Sequence, residues 1–298
     1  MAKRRDIIVG LVIGGVFLFG MILFGVVLFT AVGDRDDFVV IGSGQIAVVE
    51  IYGGIYDSSV PVRQIKKWAK RSDIEAIVIH INSPGGGVAA SHEIYEAIVQ
   101  AREEYGVIVV ASMSSVAASG GYYIACAADQ IVANPGTLTG SIGVIMQFPT
   151  FGELLDKVGV RYETIKSGDL KDVGNPSRSL TEEEEQMLRS VIMDTYEQFV
   201  RIVATGREMD IDDVYPLADG RIYTGLQAYN LGLVDTLGTF DKAIEIAADL
   251  AGIEGDPETV KETPRKPGLF EVLTESIQKV ETRITGDAGG PQLLLLYR

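Results

Sequence analysis

The sequence predicts an α/β domain built on a mainly parallel sheet, preceded by one N-terminal membrane-spanning helix. Three observations carry this. Residues 7–33 run without a single charge, and about 20 apolar helical residues suffice to cross a bilayer core of ~30 Å. From Gln45 onward, apolar β-rich runs alternate with helix-length amphipathic ones, which is the pattern of βαβ units. Hydrophobic residues make up 47% of the 298, enough for a large buried core.

The elements follow in order. Lys3, Arg4 and Arg5 precede the apolar run, and Asp34, Asp36 and Asp37 follow it. The positive-inside rule therefore keeps the N-terminus in the cytoplasm and exports the rest, as a single-pass protein of the cell membrane. Ala31-Val32-Gly33 has the small-residue pattern of a cleavage site, but the run is longer than the apolar core of a secretory signal. QIAVVEIYG reads as a strand, and SSVPVRQIKKWAKRS as a helix with Pro61 in its first turn. IEAIVIHINS is a near-continuous apolar run of the kind buried on both sheet faces. VAASHEIYEAIVQAREEY is helical and VIVVASM a strand, and a short helix covers 119–127. QIVANP and GVIMQF are expected strands, TFGELLDKVG a helix, and a long helix runs from about Thr181 to Arg207. Thr181 and Glu184 form a capping box at its start, and the acidic run there suits a positive helix end better than a metal. Thr224 and Gly225 look like another N-cap start. The expected division is anchor 1–33, external domain 34–254 and a loosely held tail 255–298.

Composition excludes several classes. A formal net charge of −15 with no basic stripe argues against binding nucleic acid. Cys126 is the one cysteine, so neither an intramolecular disulfide nor a Cys-based metal site is available. No stretch suggests a cofactor.

Two glycine-rich loops, each after a strand, are the places for chemistry. One is Asn82-Ser83-Pro84-Gly85-Gly86-Gly87 and the other Ser119-Gly120-Gly121. Glycines there let backbone N–H groups approach a ligand, whether a phosphate or a carbonyl becoming an oxyanion. Neither loop has the spacing of a nucleotide motif. Ser119 as nucleophile needs a base. His80 lies within an apolar strand and reads as a core residue, and His92 has no aspartate in obvious support. A lysine serves if burial makes it neutral, and Lys166 and Lys171 both stand in ETIKSGDLKDVGNPS. Ser112, Ser114 and Ser115 read as lining the turn or capping the helix, and Tyr122 and Tyr123 as packing residues.

INSPGGG, AASGGYYIACAAD, TGSIGV, KSGDLKD and DGRIYTGLQAYNLGLVD, in this order from about Ile46 to Gly238, resemble the signal peptide peptidase A (SppA) family. These are membrane-anchored Ser–Lys peptidases of the Clp protease/crotonase superfamily. The resemblance implies a repeated β-β-α superhelix. It implies Ser119 as nucleophile, a buried Lys171 as general base and Ser141 as the residue that orients the lysine. It places the oxyanion hole on backbone N–H groups of Gly85 or Gly86 and of Gly120; Lys166 precedes the motif and reads as an exposed lysine. It further implies apolar substrates such as released signal peptides, and a homo-oligomer in which a neighbouring subunit helps complete each site. The alternatives are an anchored Ser–Lys protease dedicated to one membrane partner protein, and an inactive scaffold. One feature stands apart from the family pattern: PQLLLLYR is an apolar end to a polar segment, suited to lie as an extended strand in a groove of its own or a neighbouring subunit.

Overall fold

The computed structural model describes residues 38–264 and 294–296. The expected span, residues 7–33, lies outside the described residues. Among those described, no helix is long and apolar enough to cross a membrane. Residues 40–262 and 294–296 belong to one compact unit, which holds the sheet, its covering helices and the candidate site.

The strands are β1 (Phe38–Ile41), β2 (Ile46–Tyr52), β3 (Ala76–Ser83), β4 (Gly85–Gly87), β5 (Ile108–Ala118), β6 (Gln130–Ala133), β7 (Leu138–Gly140), β8 (Ile222–Thr224), β9 (Thr236–Leu237), β10 (Thr259–Pro264) and β11 (Leu294–Leu296). The helices are α1 (Ser59–Ala69), α2 (Val88–Glu103), α3 (Gly120–Ala125), α4 (Gly152–Val158), α5 (Glu182–Gly206), α6 (Ile211–Val214), α7 (Gly225–Asn230) and α8 (Phe240–Ala251). The main sheet runs β10-β2-β3-β5-β6-β9, with each of these pairs parallel.

Both sheet faces are covered, as the apolar runs foretell. Ala47, Val49, Ile77, Ile79, Ile81, Val109 and Ala111 face a large core shared with Trp68 of α1, Ile94 and Ile98 of α2, Tyr122 and Ile124 of α3 and Phe199 of α5. Ile46, Val48, Val78, Val110 and Val132 face the other way, against Ala243, Ile244, Ala247 and Ala248 of α8.

The long strand β5 positions the site because it changes partner along its length. Val110–Met113 pairs with β6, and Val116–Ala118 pairs with β7. Between them its register with β3 slips, from Ile81↔Met113 to Ser83↔Ala117. Asn82 fills this irregularity, its Oδ1 accepting from the Val116 N–H at 3.3 Å. The bulge turns the end of β5, and Ser119 after it, away from the flat part of the sheet.

Two expectations change. GVIMQF is not a strand: the ladder forms earlier, at β7, which pairs with β8 as well as β5. And the segment after Gly255 is not loose throughout, because β10 joins the sheet beside β2. There Val260 is buried, and Glu262, also buried, meets Arg63 at 3.1 Å and Lys67 of α1. A polar segment is thus anchored by charges from a helix near the start of the domain, which local composition does not reveal. The capping boxes of α5 (Thr181 with Glu184) and α7 (Thr224 with Gln227) form as expected.

Candidate active site

Ser119 follows the last residue of β5 and caps α3 with φ 53° and ψ −116°. Such a backbone costs a non-glycine residue about 1–3 kcal/mol and persists only when the surroundings impose it. They do so from both sides. The Ser119 N–H donates to the Gly140 carbonyl at 2.8 Å, and the Ser119 carbonyl accepts from the Tyr123 N–H at 2.8 Å. The side chain is 0% exposed, and its Oγ has no hydrogen-bond partner among the described residues. A buried hydroxyl left unpaired is costly, so it marks a group kept ready for something else.

Ser141 stands beside it through strand register. Ala118 pairs with Gly140, so the residues that follow, Ser119 and Ser141, leave the ladder together. Ser141 also has positive φ, 51°, is 7% exposed, and donates its N–H to the Arg221 carbonyl at 2.8 Å.

The two glycine loops meet. A Cβ on Gly120 would lie 2.5 Å from Ser91 Oγ, 3.1 Å from the Gly86 nitrogen and 3.2 Å from Gly85 Cα. Within β4 the Gly85 N–H donates to Ser83 Oγ at 3.0 Å, while the Gly85 carbonyl and the Gly87 N–H bond the backbone of Ile55 at 3.0 and 2.7 Å. Successive strand residues direct their polar groups to opposite edges. Gly86 therefore presents its N–H and carbonyl on the edge away from Ile55. Ser83 belongs to the glycine-rich loop that the sequence marks, whereas nothing local marks Ile55. Gly120→Ala is expected to force the loops apart and lower kcat by about 10²–10³-fold, the cost of one misplaced oxyanion donor, with far-UV circular dichroism unchanged. Wild-type kcat in this variant would separate the loop contact from catalysis.

Lys171 does not complete the site within this chain. It sits in a 3-10 turn, Asp169–Asp172, and its side chain is exposed, not buried as the resemblance implies. Lys166 is exposed, as expected, and its Nζ donates to Asp172 Oδ1 at 2.7 Å and to the Asp169 carbonyl at 2.8 Å. Arg178 joins Asp172 at 2.9 Å and Glu184 at 2.5 Å. Bonds from Lys166 and then Arg178 hold the Asp172 carboxyl down at about 2, and bonds from Arg178 and the Thr181 backbone do the same for Glu184. This network ties the turn carrying Lys171 to the start of α5.

Neither histidine serves Ser119. His80, half-buried, has its Nδ1 3.3 Å from Ser112 Oγ, and His92 Nδ1 is 2.9 Å from the Tyr123 hydroxyl. Ser112, Ser114 and Ser115 all lie within β5 and cap no helix. Tyr122 is wholly buried, its hydroxyl donating to the Leu233 carbonyl at 2.9 Å. Burial pushes the Cys126 thiol up to about 12, which makes it an inert core residue.

A strained, buried serine at a strand-to-helix turn, flanked by glycine N–H donors from two loops, is the arrangement of a serine peptidase. The family model for peptidase family S49 matches residues 101–254, and the Clp protease model matches residues 49–135. A protein of Synechocystis sp., provisionally named protease slr0021, is 45% identical over 239 residues, which are 80% of this chain and 86% of that one. An Enterococcus faecium protein provisionally named signal peptide peptidase SppA is 41% identical over 61% of this chain and 53% of its own length. The chloroplastic serine protease SPPA of Arabidopsis thaliana is 36% identical over 71% of this chain, which spans 33% of it. The chain belongs to peptidase family S49.

Proposed function

We propose that this chain is a membrane-anchored Ser–Lys endopeptidase that degrades released signal peptides and similar apolar peptides, each site being completed by Lys171 of a neighbouring copy. One observation carries the reading. Ser119 Oγ is buried and unpartnered between two glycine loops, while Lys171 is exposed on the same chain. A general base must come within about 3 Å of the proton it takes. The surface that leads to Lys171 supports a second copy as the source. Helix α4 buries none of its residues, and Phe151, Leu154, Tyr162 and Ile165 are 50%, 57%, 66% and 101% exposed. Alongside Ser141 runs an open groove of about 850 Å³, lined among others by Ile145, Met193, Tyr196 and Ile222. Apolar surface of this kind fits an interface better than solvent.

In the assembled site the Lys171 amine takes the Ser119 proton as Oγ attacks the scissile carbonyl. The oxyanion is held by the Gly120 N–H and by one from β4, Gly86 or Gly85. The same proton then passes to the leaving amine, and water releases the acyl group by the reverse sequence. The apolar substrate class draws support from the SppA name of one relative. The charge-free run 7–33 provides the anchor, with the peptidase domain outside the cell membrane.

Mixing tests the assembly. Ser119→Ala and Lys171→Ala chains, each inactive alone on a fluorogenic signal-peptide-like substrate, are expected to recover about a quarter of wild-type activity after co-assembly. Half the sites then keep the serine, and half of those face an intact lysine. Mixed assemblies no more active than their parents would place both residues in one chain. A wild type that leaves the peptide uncut would remove the substrate class.

A further inference from the structure

A second hydroxyl beside the site has no partner. Ser91 lies on the buried face of α2 with Ile94, Ile98 and Ala101, and is 0% exposed. A serine inside a helix ordinarily turns its hydroxyl to water or to a carbonyl one turn back. Ser91 does neither: its Oγ is buried without a hydrogen-bond partner among the described residues. It lies instead against the two oxyanion loops. The point that a Cβ on Gly120 would occupy is 2.5 Å from Ser91 Oγ, 3.1 Å from the Gly86 nitrogen and 3.2 Å from Gly85 Cα. Ser119, whose Oγ is equally unpartnered, comes directly before Gly120.

We infer that Ser91 is a positioning residue, a spacer that fixes how far the Gly120 N–H stands from the N–H groups of β4. The inference rests on the peptidase reading above and adds a residue to its machinery. Helix α2 begins at Val88, directly after β4 ends at Gly87, so strand and helix meet with no intervening loop. Ser91, the fourth residue of α2, therefore carries the position of β4 across to the start of α3. Its side chain suits the gap by size. Alanine ends one atom short of Gly120, and cysteine reaches it with a larger atom on a longer bond. The unpaired hydroxyl also counts against a role in stability alone. A buried hydroxyl without a partner is costly, and removing it breaks no bond.

The expected size follows from geometry. Both donors must come within about 3 Å of the same developing oxyanion. A misplacement of about 1 Å at such a site costs on the order of 10²-fold in rate. A side chain at 91 that is slightly too short or too large shifts Gly120 by a fraction of that, so kcat should fall about tenfold.

The test uses the full chain in mild detergent, compared with Ser91→Ala, Ser91→Cys, Gly120→Ala and the pair Gly120→Ala with Ser91→Gly. Each protein is assayed with the fluorogenic apolar peptide, titrated with an apolar peptide aldehyde and labelled with a fluorophosphonate probe. The aldehyde adduct on Ser119 places its oxygen in the oxyanion hole, which substrate in the ground state does not need. The expected result is Ser119 labelling throughout, with kcat about tenfold lower in Ser91→Ala and Ser91→Cys and KM unchanged. Aldehyde affinity should fall by the same factor, and the thermal midpoint of Ser91→Ala should be no lower than that of wild type. Ser91→Gly should return about tenfold of the kcat lost to Gly120→Ala, because the closest clash is gone. Wild-type kcat and aldehyde affinity in both single Ser91 variants overturn the spacer and leave the peptidase standing. A fall in kcat that tracks a lower midpoint also overturns it, by making Ser91 a packing residue. Probe labelling at Ser91 overturns it by making this serine the attacking group. Absence of labelling at Ser119 in the wild type brings down the peptidase reading and this proposal together.

Discussion

Ser119→Ala is expected to reduce kcat/KM by at least about 10³-fold, the scale on which loss of a covalent nucleophile acts. The change removes one oxygen atom that has no hydrogen-bond partner among the described residues, so no bond of the fold is lost with it. Alanine inherits the backbone at φ 53°, and the strain stays because Gly140 and Tyr123 still hold the main chain. The thermal midpoint should therefore move by no more than a few degrees, while turnover of the fluorogenic peptide disappears. Activity above about 1% of wild type in the folded variant would mean that another group attacks. Ser91 would then be the first group to test, since its Oγ lies against Gly120 and is likewise buried without a hydrogen-bond partner among the described residues. Ser112 and Ser114 lie further back in β5, with Ser112 beside His80 and the Ser114 carbonyl accepting from Thr137.

Lys171→Ala should cost about as much activity with even less effect on stability, since an exposed side chain usually contributes within about 0.5 kcal/mol. Substitution by another cation gives the sharper reading. Only a neutral amine accepts a proton, so Lys171→Arg should not rescue, because a guanidinium keeps its proton. A Lys171→Ala enzyme that remains active would transfer the role elsewhere. Lys166 is then poorly placed, because Asp172 and the Asp169 carbonyl already hold its ammonium. The histidines are no better, as His80 and His92 are directed to Ser112 and Tyr123.

Much of the architecture was legible because local pattern and tertiary outcome coincide. The apolar run of β3 is buried on both faces, and the Thr181–Glu184 capping box opens α5 where the acidic cluster suggests. GVIMQF misled because it has strand composition but no strand beside it, whereas Leu138–Gly140 gains ladders on two sides, from β5 and β8. β10 was illegible for the opposite reason. Its polar Glu262 is acceptable in a buried position only because Arg63 and Lys67 come to it from α1.

The sequence by itself determined the family motifs, the strand–helix alternation and the serine most suited to attack. These depend on short-range pattern: periodicity, capping and glycine at turns. Tertiary structure alone decided that Ser119 and Ser141 emerge side by side, through the Ala118–Gly140 register, and that Gly120 touches β4. It alone decided that Lys171 stands on the surface of its own chain while β11 lies against the glycine strand. Each of these outcomes turns on segments that are distant along the chain. Nothing in a local stretch encodes which distant partner will meet it, because that choice is made by the packing of the whole sheet.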